Sequence, residues 1–227
     1  MRATARSAAS KSTVPSRRLR RSAELRERLF RAALSLFAKK GYAETTVNDI
    51  TEAADVGKGT FFNYFPSKEH VLLGFSEMQL GKLAIIVREI RDSHVPMRQG
   101  LRGLVHRMTE APIQNPAVVR ALLQAHLSSE VVRKEMVRLQ GEHLRLIGGL
   151  LRHGQERGEV RRDLPAEEIA QILRQTIFGT LLFWSLIGDA SLTERVGHAL
   201  DLLWGGIAPH PRSGAATKSH RSSGVIA

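Results

Sequence analysis

The chain has no cysteine, which excludes disulfide bridges and thiol nucleophiles and fits a reducing cytoplasm. No apolar segment of the kind that heads a secretory signal is present. The longest uncharged apolar run, around Thr176 to Ile187, is too short to cross a bilayer, so no membrane partner is expected. Strand-like alternation and internal repeats are also missing. None of the nine histidines (70, 94, 106, 126, 143, 153, 198, 210, 220) has another three or four residues away, so a helical His–His metal site has no support. No serine sits in a Gly-x-Ser-x-Gly setting. Gly57-Lys58-Gly59-Thr60 echoes a phosphate loop, but the earlier glycine and the preceding strand are absent. Glu156, Glu159, Glu167 and Glu168 read as solvated helix faces. No metal, no cofactor and no enzymatic reaction are expected.

Acid is missing from both ends. Residues 1–21 hold seven Lys/Arg and residues 209–227 hold three, without one Asp or Glu in either. The formal charge of +12 therefore lies mostly in the tails, and the body between them is close to neutral. A basic segment with little to bury predicts disorder. Three readings of residues 1–21 stay open: an arm reaching over a duplex, with Arg17, Arg18, Arg20 and Arg21 nearest the first helix; a solubilising tail; or a transit peptide.

The residues that are present read as helical. Leu25 to Lys40 carries Leu25, Leu29, Ala32, Ala33, Leu36 and Phe37 on one stripe and ends at Gly41. Thr46 followed by Asp49 has the spacing of a capping box, and Val47, Ile50 and Ala54 form a buried stripe behind it. Asn48, Asp49 and Glu52 are left outward. Asp55-Val56-Gly57 breaks that helix, since Asp tolerates left-handed backbone and Gly57 is an acceptable N-cap for a second one. Phe61 and Phe65 anchor this second short helix, whose opposite face shows Lys58, Gly59, Thr60, Asn63 and Tyr64. Pro66 stops it, and Ser67 caps a third with Lys68 beside its start. Two short helices about a tight turn, the second small-residued at its start, predict a helix-turn-helix that enters a DNA major groove; a plain helical corner of a core is the competing reading.

This set resembles the TetR-type family of bacterial transcriptional regulators: Leu25 to Lys40, Gly41-Tyr42, Thr45-Thr46, Ile50, Ala53-Ala54, Val56, Gly59-Thr60, Asn63-Tyr64-Phe65 and Ser67-Lys68-Glu69. The resemblance implies that Lys58, Gly59, Thr60, Phe62 and Asn63 lie nearest the bases, with Asn48 on the same outward surface, and that Thr46, Tyr64 and Lys68 hold phosphates. It departs from the family at Asp55 (usually Gly), Gly57 (usually Ser) and Phe62 (usually Tyr). The implied function is a homodimeric repressor released from a palindromic, double-stranded operator by a small apolar effector. A DNA-binding protein without an effector, whose remaining helices serve only dimerisation or protein interaction, is the alternative.

Beyond residue 69 the pattern predicts helices near 71–91, 97–110, 116–127, 130–157, 165–187 and 192–203. Ile169, Ile172, Leu173, Thr176, Ile177, Leu181 and Trp184 cover more than one face of the penultimate helix, and Leu192, Val196, Ala199, Leu200 and Leu203 stripe the last. So much apolar surface near a C-terminus predicts a twofold dimer through these two helices, with an internal core helix as the competing reading. Met108, Gln124, His126, His143, Phe178, Thr180 and Trp184 are candidate lining for an effector pocket, against the reading that they are ordinary core and surface. The expected architecture is all-α: a disordered basic arm (1–21), an N-terminal three-helix helix-turn-helix domain (22–69), a helical ligand-binding and dimerisation domain (70–208) and a disordered tail (209–227).

Overall fold

The computed structural model describes residues 17–110, 113–128, 130–188 and 191–209. Among them the chain forms α1 (Arg17–Lys40), α2 (Val47–Ala53), α3 (Lys58–Phe62), α4 (Lys68–Asp92), α5 (Met97–Met108), α6 (Pro116–Ser128), α7 (Glu130–Glu156), α8 (Ala166–Ile187) and α9 (Leu192–Ile207), and no strand. The all-α expectation holds. Helix α1 begins earlier than Leu25, so Arg17, Arg18, Arg20 and Arg21 stand in a helix and not in an arm. The rest of the expected arm, and the tail from His210 onward, lie outside the described residues.

Local chemistry sets the breaks. Helix α1 stops at Gly41, whose φ of +89° suits a residue without Cβ. Thr46 and Asp49 form the complete capping box: Thr46 Oγ1 accepts from Asp49 N at 3.1 Å, and Thr46 N donates to Asp49 Oδ2 at 2.7 Å. Asp55 adopts the left-handed conformation, φ +51°. Helix α3 is shorter than expected; Phe65 follows it in the turn yet is buried like Phe61.

Two apolar clusters organise the packing. The first gathers Leu29, Ala33 and Phe37 of α1, Ile50, Phe61 and Phe65, and the first turns of α4 (Val71, Leu72, Phe75). It also takes in Val118, Ala121 and Ala125 of α6 and Val132 of α7. The domain break expected at residue 70 therefore falls inside one helix and one core. The second cluster joins the distal half of α4 to α5, α7, α8 and α9. Helix α4 is long and apolar enough to cross a bilayer by length and composition, but Leu83, Ile86, Val87 and Ile90 are buried within the second cluster. Close approach is enforced where α7 ends: a Cβ on Gly154 would sit 2.7 Å from Val160 and 3.2 Å from Met97.

Helices α8 and α9 differ from expectation in one respect. Ile169, Leu173 and Trp184 of α8, and Leu192, Val196 and Leu200 of α9, all face the chain's own core. The uncovered surface is on the other sides of these helices, where Ile172, Phe183 and Leu186 of α8 are 44%, 64% and 63% exposed and Leu202 of α9 is 83% exposed.

Candidate nucleic-acid interface

The interface is built outward from Phe61. Its ring is wholly buried, 5.7 Å from Phe65 and 5.4 Å edge-on to Phe62, which fixes the roll of α3. That roll leaves Lys58, Gly59 and Asn63 exposed, Thr60 half-exposed and Phe62 52% exposed. A Cβ on Gly59 would meet nothing within 4 Å. The protein itself has no steric need for glycine there, so the bare backbone matters only to something outside it. Asn48 is exposed on α2.

The flanking groups are held by specific bonds. Thr46 is exposed but hydrogen-bonds Asp49 through its hydroxyl (2.8 Å). Lys40 Nζ pairs with the same carboxylate at 2.8 Å. That bond first, then those from Thr46, hold Asp49 down to about 2. Tyr64 is half-buried, with its phenolic oxygen 3.1 Å from Ser22 Oγ. Tyr42 donates to Glu69 at 2.9 Å, and burial followed by this carboxylate pushes the phenol upward.

Lys68 is bonded within the head. Its ammonium donates to the carbonyls of Tyr42 (2.9 Å), Ala43 (3.2 Å) and Thr45 (3.0 Å), and stands 4.6 Å from the Tyr42 ring centre. An ammonium has three donors, and all three are taken by the α1–α2 connection. Lys68 is thereby a strut of the head. The Lys40–Asp49 pair and the Tyr42–Glu69 bond were not read from the sequence; neither leaves a signal in spacing, because both join residues brought together by the fold.

The seven expected pocket residues are dispersed in character. Trp184 is packed into the second core and Met108 half-buried against it. Thr180 returns its hydroxyl to the Thr176 carbonyl at 2.8 Å. Gln124 is exposed, Phe178 is 46% exposed, and the side chain of His126 lies outside the described residues. His143 is half-buried on α7, where burial and then the Arg174 guanidinium hold its imidazole below the usual range. The hollows that open along α4, about 440 and 610 Å³, are lined by other side chains, among them Arg26, Tyr64 and His70 in one and Leu80, Leu139 and Leu146 in the other. Among the described residues no group of three or more His, Asp or Glu is placed to hold a metal ion.

Residues 29–74, which form most of the head, match the profile of the bacterial regulatory proteins of the tetR family. Over 165 residues the chain is 31% identical to the HTH-type transcriptional repressor DhaR of Mycobacterium sp. (strain GP1), covering 70% of this chain and 81% of that protein. It is 30% identical over 193 residues to the HTH-type transcriptional repressor KstR2 of Rhodococcus jostii (strain RHA1), covering 82% and 92%. Among solved structures, the TetR-family repressor FadR of Thermus thermophilus, in complex with lauroyl-CoA, is similar at a TM-score of 0.62 and 30% identity, covering 84% of this chain and 98% of that one. The head, its outward α3 face and these relatives lead to one assignment: the chain is a DNA-binding transcriptional regulator of the TetR family.

Proposed function

We propose that the protein works in the cytoplasm as a homodimeric repressor that leaves a palindromic operator when a small apolar ligand binds. The observation that carries the DNA side is the face of α3. Lys58, Gly59, Thr60, Phe62 and Asn63 stand out from the wholly buried Phe61, with donors, a bare backbone and a ring that can meet a thymine methyl. Thr46 and Tyr64 flank that face as phosphate ligands.

The dimer reading rests on α8. Ile172, Gly179, Phe183 and Leu186 recur at helical spacing on its uncovered side, and a Cβ on Gly179 would meet nothing within 4 Å. An apolar stripe with a small residue in it suits close approach of a second copy about a twofold axis. Such a dimer sets two heads roughly 34–36 Å apart, one turn of duplex.

Release has a physical route. Helix α6 packs on α1 and on α8 at once, and Arg120 of α6 donates to the Ser185 carbonyl of α8. A ligand that binds better to one setting of these helices shifts the head by its differential affinity. That FadR of Thermus thermophilus holds lauroyl-CoA supports an acyl-bearing compound as effector. The test is footprinting to find the operator, then gel-shift titration with Thr60→Ala. About tenfold weaker binding at an unchanged melting temperature is expected, the cost of roughly one hydrogen bond. Unchanged binding sinks the assignment of α3.

A further inference from the structure

Among the described residues, Arg174 is a half-buried cation of the helical body with no ion pair. Arg174 lies on α8 toward α7, and its Nη1 donates to Gln140 Oε1 at 3.0 Å. The neighbouring Nε–H is sealed from solvent and has no acceptor. Two acids on the same helices are engaged elsewhere, Glu142 with Arg138 and Glu167 with Arg152. His143, one turn from Gln140, is half-buried, and burial and then the Arg174 charge hold its imidazole below the usual range. An imidazole offers the guanidinium no negative charge, only its ring nitrogens.

Leaving a desolvated guanidinium donor without an acceptor costs free energy that an apolar residue of the same size would not. The surroundings are apolar. Ile177 and Leu181 follow Arg174 along α8, and Leu144 and Ile147 flank His143 on α7; all four are only partly buried although they pack on the second core. A guanidinium fork with its Nε edge unpaired matches the two oxygens of a carboxylate or phosphate.

We propose that Arg174, assisted by Gln140 and His143, seats the anionic oxygen group of an otherwise apolar ligand whose hydrocarbon part lies among Leu144, Ile147, Ile177 and Leu181. This deepens, and rests on, the reading of a ligand-released repressor.

The test is calorimetric titration of the full chain with dodecanoate, dodecyl phosphate and dodecanol. At least one anion should bind about ten times more tightly than the alcohol, and which one does identifies carboxylate or phosphate as the group recognised. Arg174→Met should weaken the anion roughly tenfold to a hundredfold and leave the alcohol unchanged, while Arg174→Lys keeps part of the affinity. Arg174→Met should melt no lower than the parent; should it fail to fold, Arg174→Gln is measured in its place. Equal binding of the alcohol and both anions, no binding of either anion, or parental affinity in Arg174→Met overturns the inference. Operator binding without ligand separates the two readings. Its absence in the parent breaks the repressor, whereas equal release of parent and Arg174→Met by lauroyl-CoA removes the anion seat alone.

Discussion

Phe183→Ala tests the proposed dimer at its most exposed ring. Phe183 is 64% exposed on α8, so about 130 Å² of an aromatic side chain is available to a partner. At ~25 cal/mol per Å² its burial contributes ~3 kcal/mol for each copy. In a twofold interface every residue counts twice, giving about 6 kcal/mol, or roughly four orders of magnitude in the dimer dissociation constant. Ordering costs and the retained Cβ reduce what is realised, so a loss of at least about a hundredfold is expected. Sedimentation velocity across a dilution series reads it directly. Because the ring contributes little to its own chain's core, helicity should be unchanged, while operator affinity falls with the loss of the second head. A dissociation constant within about threefold of the parent, less than 1 kcal/mol, would refute the geometry.

Three other outcomes are expected from the bonds described. Lys68→Met should lower stability by about 2 kcal/mol in urea unfolding, since it strands the carbonyls of Tyr42, Ala43 and Thr45; the salt slope of operator binding should not change, because no phosphate contact is lost. Gly154→Ala should cost about 1–3 kcal/mol by driving a methyl into Val160 and Met97, read as a lower urea midpoint at constant slope. The Asp49 carboxylate, held down to about 2 from an ordinary 3.8, stabilises α2 fully above the ordinary value and loses that effect as pH falls through about 2. Asp49→Asn should therefore flatten the acid limb of the unfolding curve in that window; an identical limb would deny the carboxylate its role.

Much of the head was legible because its breaks are local chemistry. The Thr46–Asp49 box and the left-handed Asp55 each act within a few residues, and both stand where spacing put them, although α3 ends at Phe62, ahead of the stop expected at Pro66. Helix α9 runs on to Ile207 because that side chain is buried and its carbonyl accepts from Arg161 N at 2.9 Å, a long-range bond invisible in the stripe that ended at Leu203. Helix α1 starts among arginines that composition assigned to an arm. The bonds of Lys68 were hidden for a related reason: a lysine at a helix start suggests an anion, and only the fold shows the three carbonyls it braces. The pocket residues were chosen by type alone, and type does not say which side of a helix a residue takes.

The core that runs from Phe61 through Phe75 into Val118, Ala121 and Ala125 bears on how such regulators can be recombined. A head cut at residue 70 and grafted onto a foreign body would leave Val71, Leu72 and Phe75 behind and bring an unfilled floor to its new host. The seam that transplants intact lies beyond the first turns of α4, and it must carry α6 along with it.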